Sequence, residues 1–125
     1  MYMECTERLQ AIVKGFQTHR KAFTAIGDET RQLILLTLME SDLSGIRVGE
    51  IAAKTHLTRP SVSHHLQILK DAGIVAMRRE GTRNYYYLGA DDTVWKEIAE
   101  LTTLICESIS RISPQHDASY EEEQV

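Results

Sequence analysis

The stretch RVGEIAAKTHLTRPSVSHHLQILKDAGIV, Arg47 to Val75, constrains this chain more than any other. In its second half Val62, Leu66 and Leu69 recur at intervals of four and three, the spacing of one helical face. Thr58 suits the N-cap of that helix, and Pro60 sits in the first turn, where its missing N–H does no harm. Gly73 stops the helix just after Lys70. Ahead of it, Arg47 to Thr55 reads as a short helix with Val48, Ile51 and Ala52 facing inward. Only His-Leu-Thr joins the two, the spacing of a helix-turn-helix.

The flanks extend this unit. From Glu4 to about Ile26, Leu9, Ile12, Val13, Phe16 and Phe23 follow a helical period, and Gly27 ends the run. Asp28 is placed to cap a second helix, Glu29 to about Glu40, with LILLTLM as its buried stretch. SDLSG is a polar loop with Gly45 for the turn. After Gly73, IVAMRR and NYYYL are strand-like and Gly81 permits the turn between them, so a basic hairpin follows the helix pair. Tyr85, Tyr86 and Tyr87 alternate across the second strand, so at least one packs beneath the hairpin. Asp91 or Asp92 caps a long helix to about Ile112, with Ile98, Leu101, Ile105 and Ile109 along one side. The fold class is mainly α: a winged helix-turn-helix in the order α-α-α-α-β-β-α over residues 1–112. A polar, disordered tail follows over 113–125.

The helix from Thr58 turns a distinctive side outward. Pro60, His64, Gln67 and Asp71 lie opposite the apolar stripe, flanked by Ser61 and Ser63. A merely solvated helix more often carries Glu and Lys there. Ser, His and Gln can reach base edges and phosphates in a major groove, where an α-helix fits. Thr58, Arg59 and Ser61 stand at the helix start, whose free amides suit a phosphate. Arg78, Arg79 and Arg83 on the hairpin extend the positive surface toward backbone or minor groove. His65 borders the inward stripe and reads as a structural histidine that needs a hydrogen-bond partner. Adjacent His64 and His65 cannot face one metal from a single helix face, because such ligands want three- or four-residue spacing.

Net charge of −4 looks wrong for a polyanion's partner, but the average hides a split. Arg47 to Arg83 holds seven basic and three acidic residues, a net +4, while the remainder carries −8. A basic middle between acidic ends is the footprint of a site for a polyanion, and with the outer face of the helix from Thr58 the partner expected is double-stranded DNA. The 125 residues allow one domain, and 42% hydrophobic with 26% charged residues is ordinary for a globular chain. No apolar run nears the ~18 residues needed to span a bilayer, and the start of the chain does not read as a secretory signal. Cys5 and Cys106 are far apart without C-x-x-C spacing, which argues against a disulfide scaffold and suits a reducing cytoplasm. An enzyme would need a nucleophile, a base and an orienting group converging in a cleft, yet the close Ser/His cluster lies on one convex helix. No Gly-rich phosphate loop, G-x-S-x-G or H-E-x-x-H is present, so no catalytic residues or cofactors are expected.

AFTAIGDETRQLILLTL, VGEIAAKTHLTRPSVSHHLQILKDAGIV and RREGTRNYYYL together resemble the ArsR/SmtB family of bacterial winged-helix repressors. The likeness covers roughly Ala22 to Leu88, and its most specific run comprises Ser63, His65, Leu66, Leu69, Ala72, Gly73, Ile74 and Val75. The resemblance implies a homodimer that binds a pseudo-palindromic operator and blocks transcription, many such proteins releasing DNA when a metal or another signal binds. It implies that the first and last helices build the dimer interface, in agreement with the stripes of Leu9, Ile12, Val13 and Phe16 and of Ile98, Leu101, Ile105 and Ile109. It further implies that the helix from Thr58 enters the major groove and the hairpin acts as the wing.

The family's sensing motifs are missing. Its thiolate site, C-V-C-D-L, aligns with RVGEI, so Arg47 and Gly49 replace the thiols. From Asp92 to Ile112 there is no histidine for the second known metal site. No metal ligands are therefore assigned. Cys5 and Cys106 remain as candidates for a redox switch, a reversible disulfide that alters the spacing of the two reading helices. The opposing view makes Cys106 a buried small hydrophobe beside Ile105. An unidentified small-molecule effector is a further open route, and a winged-helix protein-interaction module without DNA is the other alternative. The basic RREGTR favours DNA.

Overall fold

The computed structural model describes residues 5–89 and 93–112. Its elements run α1 (Cys5–Thr18), α2 (Arg20–Ile26), α3 (Glu29–Glu40), α4 (Val48–Thr55), α5 (Arg59–Asp71), β1 (Val75–Glu80), β2 (Arg83–Leu88) and α6 (Thr93–Ile112). Residues 19–95 form one compact unit, and α1 forms a second with the part of α6 from Lys96 onward. The expected caps at Asp91 or Asp92 and the expected tail lie outside the described residues.

In the first unit α3, α4 and α5 pack on one another, and β1 and β2 close over them. Ile34, Ile51, Val62, Leu66, Leu69 and Ile74 are fully buried, each burial being worth about 1.5–3 kcal/mol. Asp28 caps α3 by accepting from the Arg31 amide at 3.0 Å. His56 makes the turn between α4 and α5 possible by adopting the left-handed conformation, φ +61°, which histidine tolerates better than most residues. At the far end of α5, Gly73 takes φ +77°, and a Cβ there would lie 2.7 Å from a Val94 methyl.

The antiparallel strands pair from Val75 with Leu88 to Glu80 with Arg83, leaving Gly81 and Thr82 as a two-residue turn. Gly81 has φ +63°, the sign such tight hairpin turns demand at their first position. Ile46 adds a short third rung, exchanging two backbone hydrogen bonds with Tyr86 at 2.8 and 3.0 Å. Tyr85, Tyr86 and Tyr87 are all half-buried.

Two local expectations are corrected. The single first helix is broken at His19 (φ −105°, ψ 17°) into α1 and α2, a break that no glycine or proline announces. LILLTLM is not buried throughout: Ile34, Leu35 and Leu38 are inside, while Leu33, Leu36 and Met39 are exposed. α3 is covered on one side within the unit, so the three-residue repeat of its other side stays in solvent.

In the second unit Leu101 of α6 is buried, and Gly15 of α1 provides the room: a Cβ on Gly15 would lie 2.6 Å from a Leu101 methyl. Among the described residues no helix is long and apolar enough to cross a membrane.

Candidate nucleic-acid interface

The core sets how α5 is presented. Because Val62, Leu66 and Leu69 are wholly buried, Ser63, His64 and Gln67 project to solvent on the opposite side. Thr58 is exposed and its hydroxyl oxygen accepts from the Ser61 amide at 3.2 Å, so it caps the helix while keeping its own proton to donate. Ser61 is half-buried and Arg59 exposed. Gln67 is exposed and donates from Nε2 to the Asp71 carboxylate at 2.8 Å, one helical turn away.

His65 lies at the edge of the core, and its partner comes from α3. A terminal nitrogen of Arg31 sits 3.3 Å from His65 Nδ1. Arginine only donates, so Nδ1 accepts and the ring is neutral with its proton on Nε2. Arg31 is itself held: its Nε donates to the Ala25 carbonyl at 2.7 Å, a second terminal nitrogen to the Thr24 carbonyl at 3.3 Å, and Asp28 lies 3.9 Å away. Burial, with the neighbouring Arg31 and His64 charges, pushes the His65 imidazole below its ordinary value, against the opposing pull of Asp28. Sequence reading found the need for a partner but not Arg31, because the two residues are 34 positions apart.

The three hairpin arginines differ. Arg78 donates to Glu80 at 3.1 Å and to the Ser44 carbonyl, and its guanidinium lies 4.7 Å from the Tyr85 ring centre. These contacts tie the wing's base to the loop before α4. Arg79 is exposed and donates from Nε to the Gly81 carbonyl at 3.0 Å, which steadies the turn. Arg83 is exposed beside it. Arg79 and Arg83 thus form the cationic tip, and Arg78 forms its anchor.

Within the second unit Leu9, Val13 and Phe16 make an exposed row at intervals of four and three on α1, and Val13 and Gln17 line a shallow groove with Leu9. Ile12, Ile98 and Ile105 are half-buried, and Ile109 is exposed. Cys5 and Cys106 are both free and exposed, which overturns the reading of Cys106 as a buried hydrophobe. Among the described residues no three His, Cys, Asp or Glu side chains come together as a metal site.

Residues 28–76 match the model of the bacterial regulatory proteins of the arsR family. Over 89 residues the chain is 44% identical to an HTH-type transcriptional regulator of Methanocaldococcus jannaschii, covering 71% of this chain and 96% of that one. It is 42% identical over 66 residues to the transcriptional repressor SdpR of Bacillus subtilis, covering 53% of this chain and 70% of the repressor. A solved homodimeric winged helix-turn-helix DNA-binding domain from Mycobacterium bovis superposes with a TM-score of 0.55 at 28% identity, over 84% of this chain and 91% of that one. The family's matched segment runs from the cap of α3 to the first strand, and the relatives' identity extends over most of the chain, so it belongs to the arsR family of DNA-binding transcriptional regulators.

Proposed function

We propose that this chain is a homodimeric, cytoplasmic repressor that binds a pseudo-palindromic operator. The observation that carries the reading is the side of α5 bearing Ser63, His64 and Gln67, exposed while the opposite side is fully buried. Two such helices, related by the dimer axis, reach successive major grooves about 34 Å apart. His64 and Gln67 present donors and acceptors to base edges. Arg59, Arg79 and Arg83 meet phosphates, Ser61 and Thr58 adjoin them at the helix start, and Arg78 holds the wing at its working angle. The homodimeric Mycobacterium bovis domain and the Bacillus subtilis repressor support the same assembly and direction of control. The exposed row Leu9, Val13 and Phe16, with Ile109, supplies apolar surface for the pairing.

Operator selection from a random library tests this. His64→Ala and Gln67→Ala are expected to relax preference at particular base pairs, each by about 1–3 kcal/mol. A uniform loss of affinity over all sequences would overturn base reading by α5.

A redox-responsive version of the same repressor has one observation in its favour, the exposure of both thiols, Cys5 and Cys106. Operator binding with and without reductant decides it. Identical binding in both states returns the search to a small-molecule effector.

A further inference from the structure

The beginnings of α4 and α5 meet in a cleft of about 310 Å³ lined by Arg47, Gly49, Glu50 and Arg59. Arg47 is the N-cap residue of α4, and Arg59 is the first residue of α5. Among the described residues neither guanidinium has a hydrogen bond or an ion pair. Other cations nearby are neutralised or tied down: Lys54 lies 3.2 Å from Glu50, and Arg78 is held by Glu80. The Arg59 guanidinium crosses directly over Gly49, where a Cβ would lie 2.9 Å from a terminal nitrogen and 3.2 Å from the guanidinium carbon. No side chain caps α4, and its backbone bonds begin only at the amides of Glu50 and Ile51, both to the Arg47 carbonyl. The cleft therefore gathers two uncompensated cations at the open, amide-bearing end of a helix.

We propose that this cleft seats one phosphate of the DNA backbone, held by Arg47 and Arg59, and that Gly49 is the positioning residue that lets Arg59 lie across the start of α4. The inference rests on the operator-binding reading above and adds Arg47 and Gly49 to it. Two guanidinium groups sharing a cleft repel each other, and one phosphodiester with two free oxygens relieves that repulsion while accepting paired N–H bonds. In a helix-turn-helix the first helix crosses the backbone while the second reads bases, so the junction of the two helices is where a phosphate passes. Glu50, on the rim, has its carboxylate drawn to Lys54 and so opposes the anion less than its position suggests.

The test is operator binding over a range of salt concentrations for the wild-type protein, R47Q, R59Q, R47Q/R59Q and G49A. With one phosphate in the cleft of each protomer, two for the dimer, the plot of log affinity against log salt flattens by about 1.8 in the double variant. The two single losses do not add, because both arginines serve one anion. G49A loses affinity several-fold while its Tm stays at or above that of the wild type, since alanine suits a helix better than glycine. Affinity lost from an intact fold is not what a packing role would produce. A double variant with the wild-type slope overturns the proposal. If the wild type binds no DNA at all, the operator reading fails by itself. The cleft is then judged by titrating inorganic phosphate and following the Gly49 amide resonance. A millimolar shift that disappears in the double variant supports the seat, and no shift overturns it. Micromolar phosphate binding that competes with operator would make free phosphate the occupant and overturn the assignment to DNA.

Discussion

In residues 19–95, six large apolar side chains are wholly removed from solvent, whereas α1 leaves Val13 55% exposed and α6 leaves Ile109 at 57%. Among the described residues of the α1/α6 unit Leu101 is the sole buried hydrophobe. Three helices and a hairpin can enclose a core on several sides. Two helices in contact share one seam, here Leu101 over Gly15, and the apolar residues off that seam stay wet. The reading unit is thus complete as a protomer, while the helix pair carries apolar surface that a second copy covers in the proposed dimer. The outer side of α3, with Leu33, Leu36 and Met39, is the part of the reading unit that resembles α1.

The largest test of this contrast is Leu66→Ala. It should cost about 2–5 kcal/mol of folding stability in a urea titration, as a fully enclosed position with little room to collapse. Val13→Asp should leave the fold of residues 19–95 intact and weaken the dimer by about 1.5–3 kcal/mol, ten- to a hundredfold in dissociation constant, by sedimentation. A V13D protein that dimerises as the wild type does would place the interface elsewhere. Leu101→Asp is a poorer probe of pairing, because it strikes the protomer's own α1–α6 seam first. Thr58→Ala should cost about 1 kcal/mol through the lost cap of α5, read as a drop in Tm. The smallest effect is with pH. The His65 imidazole titrates below its ordinary 6.5, so the folded state binds fewer protons than the unfolded one. Its contribution is fully present above that value and fades as pH falls below it. His65→Gln keeps an acceptor for Arg31 without a titrating ring, so its Tm should decline less between pH 7 and pH 5 (roughly the span in which imidazoles titrate). An unchanged decline would assign the acid sensitivity to other groups.

Much of the reading unit was legible because its signals are local. The caps at Asp28 and Thr58, the stop at Gly73 and the turn at Gly81 each depend on one residue's backbone or side-chain chemistry, and each is observed. The break at His19 was not legible, since the apolar period of α1 continues into α2 across it. The orientation of α3 was equally hidden: LILLTLM is apolar almost all round, so its period names no inner side. Among the arginines of the hairpin, composition marks all three as surface charge. Only the approach of the Ser44 carbonyl and the Tyr85 ring makes Arg78 an anchor.

By itself the sequence determined the helix-turn-helix and which side of α5 faces outward, because a repeat of Val62, Leu66 and Leu69 selects a face within ten residues. Tertiary structure decided which distant groups meet: Arg31 with His65 across 34 residues, and Arg59 over Gly49 across ten. Those meetings depend on how whole helices cross. Crossing geometry is set by the packed core of many side chains at once, and no local pattern records it.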